Sequence, residues 1–277
     1  MAAHEKERCP MNELALKVGF FQHDTTRALF DKSITIDGVD ATWKSATTIP
    51  EIFQRMMRDR DFDFAELGLT FYLRTLDLDS PFIAIPVFPN RVFRHSCVFV
   101  NTESGITEPK NLAGKTIGEF GIYGQDSGVR AKGILMDEYG FKPEESRWVI
   151  GGLDRPMPPF DFVSHPHPAN VEVTVAPQGK ALSSMLDAGE IDALFTANVP
   201  QCVLDESPHV TRLFPSLNRS NVTTTYGPAF SQSCTPSCFG ENFSTHTLVW
   251  RTPSIGLSSR REMLPPTATG RPEESTR

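Results

Sequence analysis

Arg91, Arg94 and His95 stand close together in the run PVFPNRVFRHS, two guanidinium groups and an imidazole on one short connector. An arginine's planar fork binds a carboxylate through two parallel hydrogen bonds. Histidine gives or takes a proton near neutral pH. Arg91 and Arg94 are therefore candidate carboxylate holders, and His95 a candidate acid or base. The plainer alternative is that each arginine pairs with a nearby acid and that His95 is structural. Glu66 ends the strand-like run Phe62-Asp63-Phe64-Ala65 and is a candidate base or hydroxyl acceptor. Its alternative is an ion pair inside its own lobe. His23 and Asp24 follow the first strand-like segment and face the same cleft; both read as structural, Asp24 as a helix cap.

Tyr123-Gly124-Gln125-Asp126-Ser127-Gly128 opens a helix-like segment. The first N–H groups of a helix lack internal partners and can cradle an anion, which makes Gln125, Asp126 and Ser127 candidate substrate-binding residues. Asp126 or Ser127 serving only as the cap is the simpler reading. Asn198, past the apolar run Ile191–Thr196, is a further candidate hydrogen-bond donor. No G-x-G-x-x-G is present, since Gly118, Gly121 and Gly124 recur at every third position. There is no HExxH and no paired CxxC, and Cys234-x-x-x-Cys238 has no second ligand pair beside it. Neither a metal nor an organic cofactor is expected.

The elements that would position these residues follow from periodicity. Leu14–Phe20, Phe62–Leu67, Phe82–Phe88, Cys97–Val100, Arg147–Ile150, Val171–Val175 and Ile191–Thr196 read as strands. Thr26–Asp31 and Phe71–Leu76 read as short helices. Ser33–Lys44, bent around Asp37-Gly38, reads as hairpin-like or bent strand. Thr48 can cap a helix carrying Pro50 in its first turn and Ile52, Phe53, Met56 and Met57 on one face. A longer helix runs to Tyr139, with Gly140 at its end. Gly179–Ala188 is helical, and the stretch with Pro156, Pro158, Pro159, Pro166 and Pro168 reads as surface-lying. Strands alternating with helices predict parallel sheets. Two such runs, joined by extended crossovers near Pro81–Val100, predict two lobes with a cleft between them, ligands meeting the carboxyl ends of strands.

The runs FAELGLTFYL, PVFPNRVFRHSCVFVN, EPKNLAGKTIGE and LDAGEIDALFTANVP, in this order, resemble the type II periplasmic-binding-protein fold. With YGQDSGVRAKGILMDEYG and RWVIGGLDRPMPPFDF they resemble the 4,5-dihydroxyphthalate decarboxylase family, from about Leu14 to Pro215. The resemblance implies a two-lobed α/β protein, with residues 1–95 as first lobe, 96–200 as second lobe and 201–215 beginning a return crossover. It implies a cofactor-independent carboxy-lyase acting on a small aromatic carboxylate. A non-catalytic protein that closes around a small anion is the alternative.

After Pro215 the chain turns rich in Ser, Thr and Pro and loses periodicity, so residues 216–277 are expected to be an aberrant, disordered tail without the return to the first lobe. The resemblance implies a segment like RTGIFPIMHTVV here. Read with codons shifted back by one base, Tyr226–Cys238 permits that segment: the last base of the Tyr226 codon followed by GG can encode Arg, and the final pyrimidine of the Cys234 codon followed by AC encodes His or Tyr. The tail therefore reads as an out-of-frame version of the family's C-terminal part, lacking an Arg and a His that an intact relative would place near the cleft. Its sequons at Asn218, Asn221 and Asn242 are expected to be accidental.

Composition narrows the classes further. The chain has 277 residues, 39% apolar and 22% charged, enough for a sizeable core. A net charge of −7 without a dense basic cluster disfavours nucleic acid. No apolar run approaches the roughly 20 residues of a membrane span. The polar N-terminus shows no signal-peptide core, so a cytoplasmic location is expected. Five scattered cysteines, Cys9, Cys97, Cys202, Cys234 and Cys238, predict no disulfide framework.

Overall fold

The computed structural model of the chain describes residues 13–76, 80–89, 94–215 and 246–251. Arg91, the Tyr226–Cys238 run and the three sequons lie outside the described residues. The first part holds β1 (Leu14–Gly19), α1 (Arg27–Phe30), β2 (Val39–Lys44), α2 (Ile49–Gln54), β3 (Phe64–Gly68), α3 (Leu69–Leu73) and β4 (Phe82–Ile85). A 3-10 turn, Arg94–Cys97, leads into β5 (Val98–Asn101), β6 (Thr116–Phe120), α4 (Asp126–Tyr139) and β7 (Arg147–Gly151). Then follow β8 (Glu172–Val175), α5 (Leu182–Asp187), β9 (Ala193–Phe195), α6 (Gln201–Leu204), β10 (Val210–Arg212) and β11 (His246–Arg251).

These strands make two sheets, one of order β2-β1-β3-β11-β4 and one of order β10-β5-β9-β6-β7-β8. The fold is mixed α/β with two sheets, as the family resemblance implied. The alternating segments pair in parallel: β1 with β2 and β3, β6 with β7 and β9, β7 with β8. Because β2 runs parallel to β1, the Asp37-Gly38 turn is not a hairpin; it delivers the chain into β2 with Gly38 at φ 76°, a backbone conformation natural to glycine.

Three expectations need correction. The Pro-rich excursion is not merely surface: Phe160 is buried and packs with Phe53, Phe71 and Ile122 in the core beneath the first sheet, with Phe162 beside it. Proline fixes the path there, but the interleaved phenylalanines are driven inward by their apolar area. Secondly, α6 and β10 fall where a return crossover was expected to start, yet β10 pairs antiparallel with β5 in the second sheet. Thirdly, the first lobe does receive a returning strand. β11 lies antiparallel between β3 and β4, with Val249 fully buried and Leu248 nearly so. Arg251 clamps its end: the backbone N–H donates to the Asp63 carbonyl at 2.8 Å, and Nη2 donates to Asp63 Oδ1 at 2.9 Å.

Each sheet keeps its own packed interior. Ile52, Phe53 and Met56 of the helical segment after Thr48 fill the first with Phe62, Leu67 and Phe71. Trp148, at the centre of the second, stacks edge-on against Phe195 and Tyr123 and donates through Nε1 to the Pro143 carbonyl at 2.8 Å. Full burial of such side chains is worth roughly 1.5–3 kcal/mol each, which holds the strand ends in place.

Candidate functional site

Glu66 sits in the middle of β3, not at its end as the sequence suggested, with its side chain fully buried, and the chain leaving β1 curls over it. His23 Nε2 lies 2.9 Å from Glu66 Oε1 and 3.1 Å from Oε2, while the Phe21 N–H donates to Oε2 at 3.2 Å. The ring of His23 packs edge-on against Phe21 at 5.4 Å. Its backbone N–H donates to Thr26 Oγ1, and Thr26 N–H and Oγ1 both donate to the His23 carbonyl. Glu66 is thus held by a histidine of its own lobe, close to the plainer of the two sequence readings, but that partner stands open. His23 borders a cavity of about 580 Å³ with Phe20, Leu29, Phe88 and Leu248 among its walls. It also borders a second of about 430 Å³ lined with Asp24, Arg27 and Asp31. Asp24 is not the cap of α1; that position belongs to Thr26.

The start of α4 is arranged differently from expectation. Gln125, not Asp126 or Ser127, is its N-cap, with its side-chain oxygen accepting from the Ser127 N–H at 3.0 Å and its amide contacting Ser127 Oγ. Gln125 and Ser127 therefore hold one another. Asp126, also buried, accepts from the Thr70 N–H of α3 through Oδ1 at 2.7 Å and so ties the second lobe to the first. Gly68 is required there, since a Cβ would collide with the Asp126 carboxylate. Arg74 adds two further ties, donating to the Gly124 carbonyl at 3.0 Å and the Ser164 carbonyl at 2.9 Å.

Arg94 and His95 enter the second lobe. Arg94 is 1% exposed and approaches Cys97 Sγ through Nη1 at 3.5 Å. Its charge, after burial, is a cause of the lowered pKa of Arg130 on α4. Two guanidinium groups are thereby within electrostatic reach of one another. Arg130 was not singled out from sequence; its place one helical turn beyond Asp126 and Ser127 was the available signal. The His95 ring is buried edge-on against Phe214, with Nε2 4.0 Å from Glu138 Oε2. The void between Arg94, His95, Ala131, Leu135 and Phe214 is too tight for a ring. Glu66 and His95, the two expected proton-transfer residues, thus have their described partners in different lobes. Asn198 is exposed beyond β9, its N–H donating to Thr196 Oγ1 at 3.2 Å.

A second buried carboxylate escaped the sequence reading. Glu119, near the end of β6, pairs with Lys132 Nζ at 2.5 Å and accepts from the Gly124 N–H at 3.0 Å. Lys132 lies over the rings of Tyr123 and Trp148, 3.9 and 4.4 Å from their centroids, a cation–π cage. Gly128 must be small, since a Cβ would collide with Glu119. Burial pushes the Glu119 carboxyl up and the Lys132 amine down, each partly opposed by the other's charge. No described helix is long and apolar enough to cross a membrane.

No protein-family model matches the chain. Two curated proteins do. The 4,5-dihydroxyphthalate decarboxylase of Comamonas testosteroni is 38% identical over 205 residues, 74% of this chain and 61% of that protein. The chain thus spans about three fifths of that relative. The 4,5-dihydroxyphthalate decarboxylase of Pseudomonas putida is 33% identical over 236 residues, 85% of this chain and 90% of the relative. Among solved structures, the alkanesulfonate-binding protein SsuA from Xanthomonas axonopodis pv. citri is 13% identical with a TM-score of 0.45, covering 83% of this chain and 73% of its own. The periplasmic aliphatic sulphonate binding protein SsuA from Escherichia coli is 14% identical with a TM-score of 0.43, covering 83% and 72%.

Proposed function

The chain belongs to the 4,5-dihydroxyphthalate decarboxylase family, and from that premise we propose that it removes one carboxylate from an aromatic dihydroxy dicarboxylate, without an oxidant, releasing carbon dioxide and a protocatechuate-type product. The observation that carries this reading is 33% identity to a decarboxylase over 90% of that relative's length.

The chemistry sets four demands. The site must bind two carboxylates, draw electron density from the hydroxyl para to the departing group, deliver a proton to the ring carbon, and keep water away from the intermediate. Arg94 would hold a carboxylate through its planar fork only once the pocket it shares with His95 and Phe214 opens. The apolar walls of the 580 Å³ cavity suit a single aromatic ring. Gln125 and Ser127 would contribute to binding by exchanging their mutual hydrogen bonds for substrate, and Asn198 by its exposed amide. His95 would serve proton transfer only after the Phe214 side of its pocket opens. The reaction would take place in the cytoplasm.

The test is incubation of this chain, and of a version with the reading frame restored after Pro215, with 4,5-dihydroxyphthalate, following carbon dioxide and protocatechuate. Turnover by the restored version is expected, and weaker turnover by this chain, whose tail reads as lacking an Arg and a His near the cleft. Turnover by the restored version alone would place the defect in the tail. Binding without turnover by both would overturn the decarboxylase reading and leave a small-anion binding protein.

A further inference from the structure

The pairing of a fully buried carboxylate with a histidine on the rim of a substrate-sized cavity is the feature of this molecule that the reaction most needs and that neither residue's local sequence announces. His23 Nε2 is taken up by Glu66 at 2.9 and 3.1 Å. Among the described residues, Nδ1 has no hydrogen-bond partner, and the side chain retains 17% of its exposure at the two cavities. The ring cannot easily swing away: Phe21 packs against it and Thr26 is bonded to both sides of its backbone. A held imidazole with one nitrogen bound to a buried carboxylate and the other facing a cavity is a preorganised proton donor. The pocket beside it matches the ligand class, with Phe20, Leu29, Phe88 and Leu248 offering apolar contact to a ring.

We propose that His23 is a catalytic residue of the decarboxylation, its Nδ1–H delivering the proton to the ring carbon that loses carbon dioxide, with Glu66 as its positioning residue. The proposal rests on the decarboxylase reading and adds to it the identity of the acid. In the step, a π pair of the ring takes the Nδ1 proton and a C–H bond forms at the carbon bearing the carboxylate. The C–C bond to that carboxylate then breaks, its electron pair restores the aromatic ring, and carbon dioxide departs. The imidazole, left neutral, takes its next proton from water. One proton is consumed per turnover, so a dicarboxylate dianion becomes a monocarboxylate anion plus carbon dioxide. The Glu66 carboxylate holds Nε2 and so keeps Nδ1 aimed at the cavity before transfer. Among the described residues, the charged groups facing His23 are Glu66, Asp24 and, across the smaller cavity, Arg27 and Asp31.

The experiment measures kcat and KM of the unaltered chain, His23→Gln and Glu66→Gln against 4,5-dihydroxyphthalate across pH, with circular dichroism to establish folding. His23→Gln is expected to lower kcat at least about 100-fold while KM changes little. Glu66→Gln is expected to lower kcat about tenfold with KM little changed, and Glu66→Asp to recover part of that loss; a merely structural glutamate would leave kcat in place wherever the variant folds. A folded His23→Gln chain within threefold of the unaltered kcat overturns the proposal. If neither the unaltered chain nor the frame-restored version turns the substrate over, the decarboxylase reading fails, and the dyad is judged by ring-nitrogen NMR. Addition of 4,5-dihydroxyphthalate should then move the His23 Nδ1 resonance and leave Nε2 near its place. An unmoved Nδ1 sinks the dyad as well. The same NMR measurement decides the matter should His23→Gln fail to fold.

Discussion

Two carboxylates, Glu66 in the middle of β3 in the first lobe and Glu119 near the end of β6 in the second, are both fully buried on strands inside their sheets. Each accepts a backbone N–H from the loop that follows a strand, Phe21 for Glu66 and Gly124 for Glu119, and each holds one basic side chain. The difference is where the base leads. Lys132 is sealed beneath Tyr123 and Trp148, whereas His23 opens onto two cavities. Burial of an acid therefore does not by itself mark chemistry; what matters is whether its partner can reach a ligand. The sealed pair fixes the loop that presents Gln125 and Asp126, and the open pair stands ready to move a proton.

The sharpest way to break this contrast is Lys132→Met. Leaving Glu119 buried without its cation should cost about 3–5 kcal/mol of stability, read from urea unfolding. Among carboxyls, one raised by burial gives its contribution in full below its unfolded pKa and loses it as pH rises through the folded value. Glu119 is already pushed up mainly by desolvation, so the variant should weaken further from acid toward neutral pH. The double change Glu119→Gln with Lys132→Met should recover most of the loss, because two neutral groups need no pairing. Where the single variant folds, kcat should stay within about threefold, since neither group reaches a cavity. A large fall in kcat without loss of stability would erase the distinction between the pairs.

The open pair should show the reverse balance. Glu66→Gln is expected to lose about 1–3 kcal/mol in the same unfolding measurement, less than Lys132→Met, while losing more activity. If both variants lose stability and activity in the same proportion, the two acids are doing the same structural job.

The contrast also explains what could be read without coordinates. Glu66 was legible because it follows the buried-type run Phe62-Asp63-Phe64-Ala65, and α4 was legible from its length and Gly140, which takes φ 65°. The partner of Glu66 was not legible. It depends on β1 and β3 lying side by side with Gly19 opposite Ala65, a register between segments more than forty residues apart. The cap of α4 was misplaced by one residue because a glutamine can do the work of an aspartate there. Phe160 was lost among prolines, and β11 among serines and threonines, since composition over a window outweighs a few apolar residues that a core then recruits.

Asp126 is an intermediate case, buried like the two glutamates but bonded to the opposite lobe. Asp126→Ala removes a charge-assisted bond to the Thr70 N–H and should cost about 1.5–3 kcal/mol. It should also raise the radius of gyration slightly in small-angle scattering, since this junction would keep only Arg74 on the Gly124 and Ser164 carbonyls and the packing of Ile122 and Phe160 with Phe71. Unchanged compactness would mean that the lobes are held elsewhere, and that Asp126 belongs with the sealed, local acids.

The smallest effect is expected at Asp63, an acid just before β3 whose side chain is 34% exposed. The Lys17 backbone N–H, and then Arg251, hold its carboxyl below the usual range. A carboxylate depressed on folding contributes stability above its unfolded value, near 3.9, and loses it as pH falls through the folded one. Asp63→Asn should therefore flatten the acid limb of the unfolding profile while costing under about 1 kcal/mol at neutral pH, the range of exposed ion pairs. The same change tests whether β11 is secured by its end or by its middle. If Val249 and Leu248 carry it, the strand's amides keep their hydrogen-exchange protection in Asp63→Asn. If protection of β11 collapses, the clamp at Arg251 is what keeps Leu248 in the wall of the cavity beside His23, and activity should fall with it.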